Sequence, residues 1–191
     1  MLVTNVAPTL VLNAVASIAE DDIATLSGTL ADPGTLDTFT LVGDWGDPLS
    51  PNNTTTHTYQ ASAIGAQTFT LTHNYLDDNP TATDSAIYTI TATGSDDDRL
   101  TGSSDTTVMV ANVAPLLSLE AVADITEDGI ATLSGTITDP GTLDTFTVVV
   151  NWGDPLSPDN VTTHIYQPSA TGTQAFTLTH HYLDDNPSVT G

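Results

Sequence analysis

Phe69-Thr70-Leu71-Thr72-His73-Asn74-Tyr75 alternates large apolar or aromatic side chains with small polar ones, residue by residue. A period of two puts Phe69, Leu71, His73 and Tyr75 on one face of an extended chain, the pattern of a half-buried β-strand. The same alternation recurs on both sides. Ala24, Leu26, Gly28 and Leu30 share a face, as do Phe39, Leu41, Gly43 and Trp45. Tyr88, Ile90 and Ala92 alternate with Thr89, Thr91 and Thr93, and threonine suits the outer face of a strand without adding charge. With further segments near 9–15, 54–60 and 104–111, about seven strands are expected, the number in an immunoglobulin-like sandwich. Helical periodicity is absent, so the fold class is all-β.

The opening stretch returns as Phe176-Thr177-Leu178-Thr179-His180-His181-Tyr182, and the same offset of 107 aligns everything around it without a gap. Asn5-Val6-Ala7-Pro8 matches Asn112-Val113-Ala114-Pro115, and Asp32 through Thr40 matches Asp139 through Thr147. Trp45 through Pro51 matches Trp152 through Pro158, and Tyr75 through Pro80 matches Tyr182 through Pro187. About 58 of the 80 shared positions are identical, which makes this an internal repeat whose unit is one whole domain. The expected division is a complete sandwich over 1–111 and a second copy over 112–191. Gly191 aligns with Asp84, so the second copy is expected to lack its last two strands. A sandwich open on that side exposes a core face and unpaired edges, a loss larger than the usual margin of about 5–15 kcal/mol. Two expectations follow. The chain is an excerpt from a longer array, or another copy supplies strands by head-to-tail complementation, which builds a homopolymer.

Composition narrows the partners. Arg99 is the one basic residue against 24 acidic ones, giving a formal charge of −23. Nucleic-acid binding needs clustered Lys and Arg and is excluded, and anionic membrane surfaces are disfavoured by the same sign. Such a field attracts cations, Ca²⁺ foremost, because it takes several carboxylate oxygens. Cysteine is absent, so disulfides and thiolate metal sites are not available. No apolar run is long enough to span a bilayer, so no membrane insertion is expected. Residues 1–20 lack a signal-peptide pattern, and any export signal is expected outside this stretch.

Trp45-Gly46-Asp47, His73-Asn74-Tyr75 and Tyr88-Thr89-Ile90-Thr91-Ala92-Thr93 running into Asp96-Asp97-Asp98 together resemble the polycystic kidney disease (PKD) repeat. The Asn-Val-Ala-Pro opening and the Asp-Pro-Gly segment resemble the PKD-like arrays of very large bacterial surface proteins. The likeness covers residues 5–111 and the second copy as far as it runs. Pro48 and Pro155 depart from the glycine usual after Gly-Asp, and the segment from about 49 to 68 reads as an extra hairpin. The resemblance implies immunoglobulin-fold modules at an extracellular or cell-surface location. It also implies a Ca²⁺ site in some modules, with ligands in the Asp-Pro-Gly segment.

The candidate metal ligands are accordingly Asp32, Asp37, Asp96 and Asp98, with Asn5 near the same end, and Asp139 and Asp144 in the second copy. The same aspartates also serve as turn formers through side-chain-to-backbone bonds. Glu20, Asp21, Asp77, Asp78 and Asn79 form a second acidic set, read chiefly as turns. His73 and His180 are in phase with core residues and are expected to pack, and so are His57 and His164 beside Tyr59 and Tyr166. Trp45 and Trp152 are likewise expected in the core, although indoles can also stack on sugars. Asn53-Thr54-Thr55 and Asn160-Val161-Thr162 are glycosylation sequons. No nucleophile elbow or zinc-protease motif appears, and no enzyme is expected. The function expected is a structural or adhesive module of a surface protein, stiffened by calcium, with adjacent repeats as its partners. The alternatives are a strand-exchanging filament subunit and a carbohydrate-binding module with a polysaccharide partner.

Overall fold

The computed structural model describes residues 1–78, 83–155 and 157–184. The chain divides into two compact units, Met1–Asn112 and Val113–Gly191. Every regular element among the described residues is a β-strand.

The first unit contains β1 (Thr9–Leu12), β2 (Ile18–Ala19), β3 (Ile23–Ala31) and β4 (Phe39–Asp44). β5 (Thr54–Tyr59), β6 (Ala66–Asn74), β7 (Ser85–Asp96) and β8 (Thr101–Ala111) follow. They form two sheets, ordered β1-β3-β6 and β2-β8-β7-β4-β5. Each sheet turns its apolar alternation toward the other. Leu26, Leu30, Phe69 and Leu71 from the first meet Leu41, Ile90, Val108 and Val110 from the second in one buried cluster, sealed by Trp45 and Tyr75. Period-two patterning therefore accounts for both the strands and the two-layer packing.

Two local expectations differ. The strand expected over 9–15 ends at Leu12, and a separate two-residue strand follows at Ile18–Ala19. β1 pairs with β3, and the chain then changes layers so that β2 pairs in parallel with the end of β8, Ile18 against Val110 and Ala19 against Ala111. The extra hairpin expected over 49–68 is a single edge strand, β5, paired with β4 from Phe39↔Tyr59 to Asp44↔Thr54. The polar run Thr54-Thr55-Thr56-His57-Thr58 brings little apolar surface to bury, which suits an edge.

The second unit repeats the design in β9 (Leu116–Leu119), β10 (Gly129–Thr138), β11 (Phe146–Asn151), β12 (Val161–Tyr166) and β13 (Thr173–Tyr182). Registers recur at the sequence offset. Leu26↔Leu71 becomes Leu133↔Leu178, and Leu41↔His57 becomes Val148↔His164. The sheets are β13-β10-β9 and β11-β12. At the same offset, β7 and β8 would begin past Gly191. Burial differs between the copies: Leu26, Trp45 and Tyr75 are fully buried, whereas Leu133, Trp152 and Tyr182 are half-buried. A cavity of about 430 Å³ lies against Val122, Ile125, Ala131 and Tyr182. In the first unit, the residue matching Ile125 is Ile18, which β8 covers.

Candidate metal centre

Asp32 follows β3 directly, and its backbone N–H donates to the Gly65 carbonyl, which pins the loop to the start of β6. Its Oδ1 accepts from the Gly34 N–H at 2.7 Å, an Asx-type turn. A Cβ at Gly34 would stand 2.0 Å from Asp37 Oδ2 and 3.1 Å from Asp32 Oδ1. Glycine is therefore what lets both carboxylates close over the same piece of backbone. Asp32 is 4 % exposed, and its Oδ2 meets no hydrogen-bond donor. A buried carboxylate oxygen in that state is costly unless a cation or proton reaches it.

Asp96 arrives from the other sheet at the end of β7, opposite Phe39. Its Oδ1 accepts from the Leu100 N–H at 2.8 Å and its Oδ2 from Asn5 Nδ2 at 2.7 Å. The Asn5 Oδ1 in turn accepts from the Val6 N–H at 2.9 Å. Asn5, Asp32, Asp37 and Asp96 thus gather at one end of the sandwich, while Asp98 stays exposed in the turn between β7 and β8. Loss of water raises the Asp37 pKa above its ordinary value, and the negative field of Asp32, Asp97, Asp96 and Asp98 adds to the rise. Every close histidine or guanidinium contact to a carboxylate among the described residues is a histidine–aspartate one, so no guanidinium pairs directly with these carboxylates. Asp32, Asp37, Asp96 and the Asn5 oxygen are the oxygen donors that this end of the sandwich would offer a hard cation.

In the second unit, Asp139 is 2 % exposed and repeats the turn, its Oδ1 accepting from the Gly141 N–H at 2.8 Å. Its own N–H donates to Gly172. Asp144 occupies the position of Asp37 in that loop. The counterpart of Asp96 falls past the end of the chain.

A second constellation was not legible in the sequence. Asp47, in the turn after β4, is 6 % exposed, and its Oδ2 lies 3.0 Å from His73 Nε2 on β6, itself 6 % exposed. The His73 ring stacks on Trp45 with centroids 5.2 Å apart, and Trp45 Nε1 donates to Thr55 Oγ1 at 2.9 Å. The Tyr75 hydroxyl donates to the Trp45 carbonyl at 2.7 Å, and burial pushes its pKa well above the usual tyrosine value. The second unit rebuilds every part, with His180 Nε2 3.0 Å from Asp154 Oδ2 and stacked on Trp152. His73 and His180 therefore pack as expected, but each also carries a polar contact. Trp45, fully buried, offers no face for a sugar. His57 and His164 depart from expectation: both are exposed on edge strands and lean on Tyr59 and Tyr166. The sequon amide of Asn53 is tied into the turn, donating to Asp44 Oδ1 at 3.0 Å and accepting from the Asp47 N–H at 2.6 Å.

The second acidic set is more deeply placed than a turn reading implies. Glu20, Asp77 and Asp78 are 2 %, 5 % and 7 % exposed. Asp21 takes the positive φ expected of a turn residue, while Asn79 lies outside the described residues.

No family model matches the chain, and no curated protein matches it.

Proposed function

We propose that this chain is part of a non-catalytic structural and adhesive array of PKD-like immunoglobulin-fold modules in an extracellular or cell-surface protein, stiffened by Ca²⁺. The observation that carries the reading is recurrence: the same strands return with the same registers one repeat later. Such repetition serves length and spacing, with adjacent repeats as the natural partners. The strand order β1-β3-β6 against β2-β8-β7-β4-β5, with the first segment shared between layers, supports the immunoglobulin-like assignment. The buried, donor-free oxygen of Asp32 supports the calcium assignment.

The test is thermal unfolding with Ca²⁺ and with chelator. At 100 times Kd, a ligand bound by the folded state adds about 2.7 kcal/mol, a rise on the order of 10 °C for a unit of this size. Asp32→Asn should shrink that rise. An unchanged melting temperature in Ca²⁺ would remove calcium from the proposal.

One observation favours a second reading, a subunit that polymerises by strand exchange. β4 is paired on both edges, by β5 and β7, whereas β11 is paired by β12 alone among the described residues. That edge and the cavity beside Ile125 and Tyr182 match what a β7–β8 hairpin covers in the first unit. Light scattering of the purified chain across concentration tests it: growing polymers support strand exchange, and a constant monomer mass refutes it.

A further inference from the structure

The second unit departs from the first along one sheet edge. β5 and β12 are the outermost strands of their sheets, each hydrogen-bonded on one side only among the described residues. In the first unit this edge stays open although its sheet has five strands, so the edge does not depend on what pairs with β11. The Trp152 N–H donates to the Asn160 carbonyl at 2.9 Å, in register with the β11–β12 ladder. Antiparallel bonding alternates along a strand, so the N–H and C=O groups of Val161, Thr163 and Ile165 point away from β11. The side chains of these three residues are exposed, Val161 at 55 % and Ile165 at 61 %.

Between the copies this edge changes in one direction. Thr54 of β5 becomes Val161 of β12 and Thr58 becomes Ile165, while the other residues of the strand are identical. Asp44, paired with Thr54 on the neighbouring strand, becomes Asn151, paired with Val161. The three replacements remove the carboxylate beside the edge and add two β-branched apolar side chains, which favour strand pairing. Exposed edges are commonly blunted by charge, yet β12 carries no carboxylate in a protein with 24 acidic residues.

We infer that β12 is a self-association seam, pairing antiparallel with β12 of a second copy of this chain about a two-fold axis at Thr163. That register sets Val161 against the partner's Ile165, and Thr163 against the partner's Thr163. The apolar β-branched side chains then meet each other, and the backbone groups pointing off the edge meet as hydrogen-bonded pairs. Charge selects a second copy in this register. Asp159, exposed just before the strand, falls opposite Gln167, and the two Asp159 side chains stand at opposite ends of the seam. A chain of formal charge −23 therefore meets itself here without like charges in opposition, through an isologous contact that closes at two copies. The same pairing of β5 would offer only threonines on that face, with Asp44 alongside Thr54. This seam lies beyond the proposed array function and uses a different edge from strand exchange.

The chain has no cysteine, so an introduced thiol reports contacts without background. Thr163→Cys and its counterpart in the first unit, Thr56→Cys, are each oxidised mildly in the full chain at about 0.15 M salt, where long-range repulsion is screened. Hydrogen-bonded antiparallel partners sit about 5.5 Å apart at Cα, within the span of a disulfide. Thr163→Cys should form a covalent dimer at least tenfold faster than Thr56→Cys, and adding Ile165→Lys should remove the excess. Ile165 is exposed, so lysine there leaves the core untouched. Sedimentation equilibrium of the wild-type chain should show a monomer–dimer equilibrium that Ile165→Lys shifts at least tenfold toward monomer. Equal rates at the two thiols would overturn the seam, as would a monomer at every concentration. An excess in Thr163→Cys that survives Ile165→Lys would overturn the register. Larger polymers that form without that excess would overturn the seam and leave strand exchange standing.

Discussion

Gly46 and Gly153 offer a controlled comparison inside one molecule. They stand in identical Trp-Gly-Asp-Pro-Leu-Ser-Pro segments with φ of 67° and 72°. A Cβ at Gly46 would lie 2.4 Å from the Thr89 carbonyl oxygen of β7, whereas at Gly153 nothing stands within 4 Å. Alanine at either position incurs the left-handed backbone penalty, about 1–2 kcal/mol. Gly46→Ala must in addition push β7 off β4, an overpacking cost of about 1–3 kcal/mol. The first unit should therefore lose about 2–5 kcal/mol and the second about 1–2 kcal/mol. Urea unfolding followed by tryptophan fluorescence separates the two, with Trp152→Phe to read the first unit and Trp45→Phe to read the second. With a slope of about 1–3 kcal/mol per molar, the extra cost at Gly46 is a midpoint difference near 1 M. Equal midpoint shifts would refute the reasoning. They would mean that a strand covers Gly153 in solution as β7 covers Gly46.

Asp47→Ala leaves the buried His73 Nε2 without its hydrogen-bond partner and should destabilise the first unit by about 1–3 kcal/mol in the same urea assay. His57→Ala, on an exposed ring, should change stability by less than about 0.5 kcal/mol, and a large loss there would contradict the edge position of β5. In chelator, the first unit should become more stable as pH falls from neutral toward the ordinary carboxylate value of 3.8. Asp37 and Asp78 have folded-state pKa values above that value, so between the two values the folded chain holds more protons than the unfolded one. Stability is then lost as pH rises through the folded-state pKa and is level above it. Melting scans across pH should show this slope in the wild type and a flatter one in Asp37→Asn/Asp78→Asn.

The strands were legible because their signal is local. Period-two alternation at Leu26, Leu41, Leu71 and Ile90 needs no knowledge of partners, and each of these residues proved to be core. The ends of strands were less legible. Nothing in the run from Thr9 to Ala19 marks where the chain leaves one sheet for the other, because the switch is decided by the free edges of β3 and β8. Asn5, Asp32, Asp37, Asp96 and Asp98 were singled out from the resemblance and from residue type, which do not say that Asp96 would be buried and Asp98 exposed in its turn. The Asp47–His73 contact was missed because strand phase tells which way His73 points and not which turn it meets. His57 looked like His73 by phase, yet an inward phase buries a side chain only when a facing layer exists, and β5 lies at the sheet edge. The burial of Glu20 against Asp77 depends on β2 reaching β8, a pairing that no motif announces.

One pattern unites the buried acids of the first unit. Glu20 follows β2, Asp32 follows β3, Asp47 follows β4, Asp77 and Asp78 follow β6, and Asp96 closes β7. Each caps a place where backbone N–H groups leave the ladder, and the Gly34, Ser50 and Leu100 amides all donate to such carboxylates. An oriented amide compensates part of a charge and leaves the rest to be met by an ion pair or by solvent cations. Asp47 has its partner inside the chain, in His73. Beyond that contact, the sequence sets a single arginine against a formal charge of −23. On the proposed calcium reading, cations would therefore meet the sandwich at the ends of the strands, where these carboxylates stand, rather than on the threonine-rich faces.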